Sequence, residues 1–224
     1  MSETLLSPTF LFRFSIPCVR NDFTWTKQGI ELPDSATLPS FAEMEGQKIF
    51  AEVRAAWNEN GLGIIARVAG KKQTPWCRST RIDESDGLQL WIDTRDTHNI
   101  HRASRFCHRF AFLPAGGGRK MNEPVAELLS INRARDLPKP ITPGALKIMS
   151  EQRIDGYVLK AFIPARTLTG FDPTEHRRMG FFYAVVDREL GTQTLSVGSE
   201  FPFDEDPSLW GTLELTDAAS VNAD

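Results

Sequence analysis

Apolar and polar positions alternate with a two-residue period along most of this chain, the signature of half-buried β-strands. In FLFRFSI, Phe10, Phe12, Phe14 and Ile16 share one face while Leu11, Arg13 and Ser15 take the other. In IFAEVRAAW, Ile49, Ala51, Val53 and Ala55 alternate with Phe50, Glu52 and Arg54. The turn signal NENG (Asn58 to Gly61) follows, and LGIIARVA then puts Leu62, Ile64, Ala66 and Val68 on one face. The pair predicts a β-hairpin. LQLWID and RFCHRFAFL alternate in the same way, as do ALKIMSEQRI, GYVLKAFIP, MGFFYAVVD and LWGTLEL. Asp155–Gly156 predicts a second hairpin.

One stretch breaks the pattern. Pro114 to Gly144 is a long excursion between strands, and EPVAELLSINRAR within it predicts a helix. Pro124 suits a first helical turn and Val125, Leu128 and Leu129 form an apolar stripe. Pro138, Pro140 and Pro143 then end it. The expected fold is all-β, a two-sheet antiparallel β-sandwich of jelly-roll type with about ten strands. It carries one partly helical excursion at 114–144. Residues 1–217 are expected to form a single domain, with a frayed polar tail at 218–224.

Composition narrows the partners. The 224 residues carry a net charge of −3, with 41% hydrophobic and 25% charged residues. No broad basic field exists for a phosphate backbone, which argues against nucleic acid. No apolar run is long enough to span a bilayer as a helix. The start MSETLLSPTFLFRFSIPC has no basic region ahead of its apolar run, so it does not read as a signal peptide. Cys18, Cys77 and Cys107 are an odd number without repeated spacing, which fits a reducing compartment better than a disulfide framework. A cytoplasmic location is the expectation.

Three of the chain's four histidines lie close together, at His98, His101 and His108, beside Cys107. Their spacing matches no zinc signature. His108 alternates with Phe106 and Phe110, so it points into their layer while Cys107 points the opposite way. The histidines therefore read as one half-buried side chain and two exposed loop residues. Gly116–Gly118 lack a phosphate-loop pattern and read as a flexible loop. The acidic stretches DESD (from Asp83) and DEDP (from Asp204) offer hard oxygen ligands for calcium, but neither matches an EF-hand loop and they read as solvated turns. No G-x-S-x-G, H-E-x-x-H or Cys/His catalytic pattern appears. An enzyme built on these loop carboxylates, for instance a glycosidase, would need two of them facing across a bond.

The aromatic residues carry more. Trp76 sits in KKQTPWCRSTR, among lysine and arginine. If the Phe106 and Leu88 faces meet in the core, then Gln89, Trp91, Asp93, Arg105 and Arg109 line the opposite face. An indole beside amides, carboxylates and guanidinium groups suits a sugar, whose ring stacks while its hydroxyls take hydrogen bonds. The same residues equally describe a second packed layer, with Trp91 under the long excursion and charges at its rim.

The order of segments is similar to the family 9 carbohydrate-binding modules and the wider DOMON-like group. Asp86, Leu90, Ile92 and Asp93 match an element of the form D-S-V-E-L-F-I-D. Tyr157, Ile163 and Pro164 match Y-x-x-E-x-x-I-P. Gly180, Phe181, Val185, Asp187 and Gly191 match a strand and turn, and Gly211 and Leu215 a final G-x-x-x-L. The resemblance implies a non-catalytic module that holds sugar ends between two tryptophans, helped by a carboxylate, an arginine and amides. It also implies calcium in a structural part. By position, Trp76 stands for the first tryptophan, Gln89 replaces a glutamate, and Arg109 or Arg105 supplies the arginine. Val197 stands where the second tryptophan would be, with Phe201 and Phe203 as nearby substitutes. The DOMON relationship implies haem held by a methionine and a histidine, for which Met149, Met179 and His108 are the candidates. The expected ligand-binding set is Trp76, Gln89, Trp91, Arg105 and Arg109. The alternative is a structural or protein-interaction domain on the same fold.

Overall fold

The computed structural model describes residues 12–217. The face assigned to Phe10 and the tail 218–224 lie outside the described residues. Eleven strands form the domain: β1 (Ser15–Arg20), β2 (Ala51–Asn58), β3 (Gly61–Ala69), β4 (Gly87–Asp93), β5 (Cys107–Gly117), β6 (Glu123–Leu129), β7 (Lys147–Arg153), β8 (Gly156–Pro164), β9 (Arg178–Asp187), β10 (Gly191–Thr194) and β11 (Gly211–Thr216). The only helical turns among the described residues are short 3-10 pieces.

The strands do not separate into two antiparallel sheets. They run as one path, β6-β5-β4-β9-β11-β1-β2-β3-β8-β7, with β10 added to β9. The path curls until its two ends, β6 and β7, meet, so the sheet is nearly a barrel. The join is β1, which pairs in parallel with β11 from Ser15 to Val19 and with β2 at Val19 and Arg20. A strand shared in this way closes what would otherwise be two open edges. It also breaks the all-antiparallel expectation. Among the described residues of the FLFRFSI segment, Phe12 is exposed and regular pairing begins at Ser15.

The predicted hairpins form. Asn58 pairs with Gly61 across a two-residue turn. Asn58 holds that turn, accepting from the Asn60 N–H at 2.9 Å and donating to the Asn21 and Phe23 carbonyls. Gly61 has φ +139°, and a Cβ there would sit 2.1 Å from the Ile163 carbonyl oxygen of β8. Only glycine lets β8 approach this closely. Arg153 likewise pairs with Gly156 to join β7 and β8.

The helix expected over EPVAELLSINRAR is instead β6, an antiparallel partner of β5 from Arg109↔Leu129 to Leu113↔Val125. The apolar stripe has a second solution. As a strand, Val125 and Leu129 pack outward against Cys77, Ile82, Ala111 and Leu113, while Ala126 and Leu128 pack inward on the main core. Both faces of β6 are apolar, and then helical and strand periods fit equally well. Gly116–Gly118 make the tight β5–β6 connection, with Gly116 and Gly118 at positive φ.

The main core holds Leu88, Leu90, Ile92, Phe110, Phe112, Phe181 and Tyr183 from neighbouring strands, all fully buried. A second cluster packs Phe23, Ile30 and Leu32 over the outer side of β2, β3 and β8. On the other side, the outer face of β4 and β5 carries the residues singled out by the sequence.

Candidate functional site

β4 places Gln89 opposite Ala111 and Trp91 opposite Arg109 on the outer face. On β9, Ala184 and Val186 flank the same face. Gln89, Trp91, Arg109, Ala184 and Val186 line a cleft of about 580 Å³ together with Asp83, Asn132, Thr192 and residues of the 199–205 segment.

The floor is aromatic and closed. Trp91 is only 1% exposed. Its indole N–H donates to the Asp204 carbonyl at 3.2 Å. Phe203 meets it edge-on at 5.4 Å and Phe182 at 6.1 Å, and Phe203 stacks on Phe182 at 4.5 Å. Trp91 is therefore not an open stacking platform. The 199–205 segment covers it through Phe203 and Asp204, with Asn132 of the 114–144 excursion at the rim of the same cleft, bonded to Glu205. Burying such a ring stabilises the fold by roughly 1.5–3 kcal/mol.

The polar part is oriented by Trp91. The Arg109 guanidinium lies 5.3 Å over its ring. Arg109 Nη2 donates to Gln89 Oε1 at 2.7 Å and is ion-paired with Asp83. Its Nε is buried with no hydrogen-bond partner among the described residues. Because Gln89 accepts through Oε1, its amide N–H groups remain as donors at the cleft. The arrangement offers one cationic and one neutral donor on a rigid aromatic base, which suits hydroxyl or carboxylate oxygens.

Trp76 lies in a neighbouring depression of about 470 Å³ with Pro75, Arg78, Arg188 and Glu189. Its loop is tied down by a buried charge centre. Lys71 Nζ stands 2.9 Å from Asp86 Oδ2, 2.9 Å from Asp187 Oδ1 and 3.7 Å from Glu189. Asp86 also accepts from the Trp76 N–H at 2.9 Å and the Arg188 N–H at 2.8 Å. Burial alone would lower the Lys71 pKa, but its bonds to Asp86 and Asp187 outweigh that and raise it. Asp86 and Asp187, two positions of the family pattern, thus act by fixing the Trp76 loop to β4 and β9.

The remaining predicted residues disperse. Arg105 is exposed and lies 5.3 Å over the Phe106 ring, away from the cleft. Asp93 is buried at the end of β4, accepting from the Arg95 and Thr97 N–H groups. Val197 is buried and lines a different cavity with His98 and Trp210. Phe201 and Phe203, the nearby substitutes, do border the cleft.

The histidines form no common centre. His108 is fully buried, stacks on Phe110 at 5.8 Å, and accepts the Thr169 N–H on Nε2 at 2.9 Å. That lone pair is spent, so His108 does not fit an axial haem ligand. His98 pairs with Asp96 and Thr212, and His101 with Asp206 and Ser208. Among the described residues no group of three or more His, Cys, Asp or Glu side chains is set to hold a metal. Where Asp86, Asp187 and Glu189 do converge, the Lys71 ammonium already supplies the cation, so these residues do not fit calcium there.

Sequence reasoning missed Lys71, Asp83 and the 199–205 cover. Lys71 had no local signal, since its partners are 15 and more residues away. Asp83 sat in a stretch read as a solvated turn, yet it pairs with Arg109.

Residues 20–218 match the family described as carbohydrate family 9 binding domain-like. No curated protein matches. Among solved structures, the chain is similar to a family 9 carbohydrate-binding module from Caldicellulosiruptor kristjanssonii in complex with cellotriose. The TM-score is 0.63 at 15% identity, over 94% of this chain and 98% of that one. The module from that organism in complex with glucose also matches, with TM-score 0.63 at 15% identity over 92% and 98% of the two chains.

Proposed function

We propose that this chain, which belongs to the carbohydrate family 9 binding domain-like family, binds carbohydrate without catalysis in the cleft over β4 and β5. Arg109 and Gln89 act as hydroxyl partners, and Trp76 is the half-buried stacking surface at the neighbouring depression. Trp91 serves as the buried base that holds Arg109. One observation carries the reading: Arg109 is pinned over Trp91 and bonded to Gln89 in the lining of the cleft, so its guanidinium is held rigidly beside the Gln89 amide where a sugar hydroxyl can meet both. The family and the sugars held by its structural relatives support the same class of ligand.

Calorimetric titration with glucose and cellotriose tests this. Removing a charged hydrogen-bond donor costs about 1.5–3 kcal/mol, so Arg109→Gln is expected to weaken binding roughly ten- to hundredfold. Wild-type protein that takes up neither sugar nor any other saccharide would overturn the reading. The burial of Trp91 beneath Phe203 and Asp204 favours a second reading, a packed layer on a structural or interaction domain. On that reading Arg109→Gln lowers thermal stability while no sugar protects the fold from heat.

A further inference from the structure

We infer, resting on the carbohydrate reading above, that the Trp76 depression is a subsite for sugars bearing a carboxylate, the uronic acid class. Three guanidinium groups surround the Trp76 indole, with Arg188 at 4.9 Å, Arg78 at 5.6 Å and Arg81 at 5.7 Å from the ring centroid. All three arginines are exposed. Arg81 is committed to Glu84. The Arg78 and Arg188 guanidinium groups have no carboxylate partner among the described residues, and that of Arg78 donates to the Cys77 carbonyl. By contrast, the carboxylates bordering the depression are engaged. Asp86 is taken by Lys71 and by the Trp76 and Arg188 N–H groups, and Glu189 by the Lys72 and Gln73 N–H groups.

A neutral sugar gains less in this setting than a charged one. Such a ligand stacks its C–H face on a bare indole, and here it would displace guanidinium groups held by cation–π attraction. A uronate gains from the same groups. Its ring lies against Trp76 while its carboxylate accepts a forked pair of N–H bonds from Arg78 or Arg188, and that planar geometry matches guanidinium. The platform is already rigid. Trp76, Lys72 and Gln73 are all fixed through their backbone N–H groups, so little loop ordering is required on binding.

Calorimetry with trigalacturonate and cellotriose, on wild type and on Arg78→Gln/Arg188→Gln, tests the inference. A charged acceptor strengthens such hydrogen bonds enough that trigalacturonate is expected to bind about tenfold tighter than cellotriose. The preference is expected to collapse in the double variant, and to shrink in high salt because the cations are exposed. Both positions are on the surface, so the variant keeps its fold. If wild type binds cellotriose as well as or better than trigalacturonate, or the double variant keeps the preference, the uronate subsite is wrong while carbohydrate binding stands. If wild type binds neither, both fall.

Discussion

Lys71→Ala is expected to destabilise the protein by about 3–5 kcal/mol, the cost of leaving buried carboxylates without their cation. The Lys71, Asp86 and Asp187 side chains are almost completely buried, and one oxygen of Asp187 already lacks a partner. Against a total folding free energy on the order of 5–15 kcal/mol, the loss is large. Thermal denaturation should show a drop of at least roughly 6 °C, and a shift below about 3 °C would contradict the account. The pH dependence follows from the sign of the shift. The Lys71 pKa is raised in the folded state, so its contribution is complete below the ordinary lysine value. That contribution is lost only as pH climbs through the folded value, so the anchor holds across neutral pH and fails in strong alkali.

A second large effect is expected in acid. Burial pushes the His108 pKa down to about 4, against a weaker upward pull from the Ile92 and Phe106 carbonyls. The unfolded chain binds the proton first, so stability from the neutral ring is full above about pH 6.5 and falls as pH drops towards 4. At pH 4.5 the loss relative to pH 7 is about 2–3 kcal/mol. Urea denaturation at the two pH values, on wild type and His108→Gln, isolates this group from the carboxylates. The variant should be less stable at pH 7 and should show a shallower loss on acidification. Equal slopes in the two proteins would contradict it.

The strands were legible because one face of most of them packs on a core, and the side-chain period then shows in the sequence. That held for β2 and β3, where Asn58 to Gly61 also supplied the turn chemistry. It failed for β6, whose two apolar faces mimic a helical stripe. The closure through β1 was illegible, because parallel pairing to β2 and β11 involves partners at opposite ends of the chain. The sequence also separated Gln89, Trp91 and Arg109 from the core-facing Leu88, Leu90 and Phe110 correctly, since neighbours on a strand point to opposite faces. Alternation says which side a residue takes and nothing of what covers that side. Hence Trp91 proved buried under Phe203, a residue more than a hundred positions away. Arg105 was assigned to the sheet face but precedes the start of β5, in a loop where alternation no longer applies.

The five tryptophans are built-in reporters, with Trp76 and Trp91 at the proposed site and Trp25, Trp57 and Trp210 elsewhere in the fold. The most direct measurement is a two-dimensional proton–nitrogen spectrum of their indole N–H signals, recorded during titration with cellotriose and trigalacturonate. The account predicts saturable shifts of the Trp76 and Trp91 signals, together with the Arg109 Nε–H signal, while the other three indoles stay in place. Binding that moves Trp25, Trp57 or Trp210 and leaves Trp76, Trp91 and Arg109 unchanged would place the ligand elsewhere and contradict it.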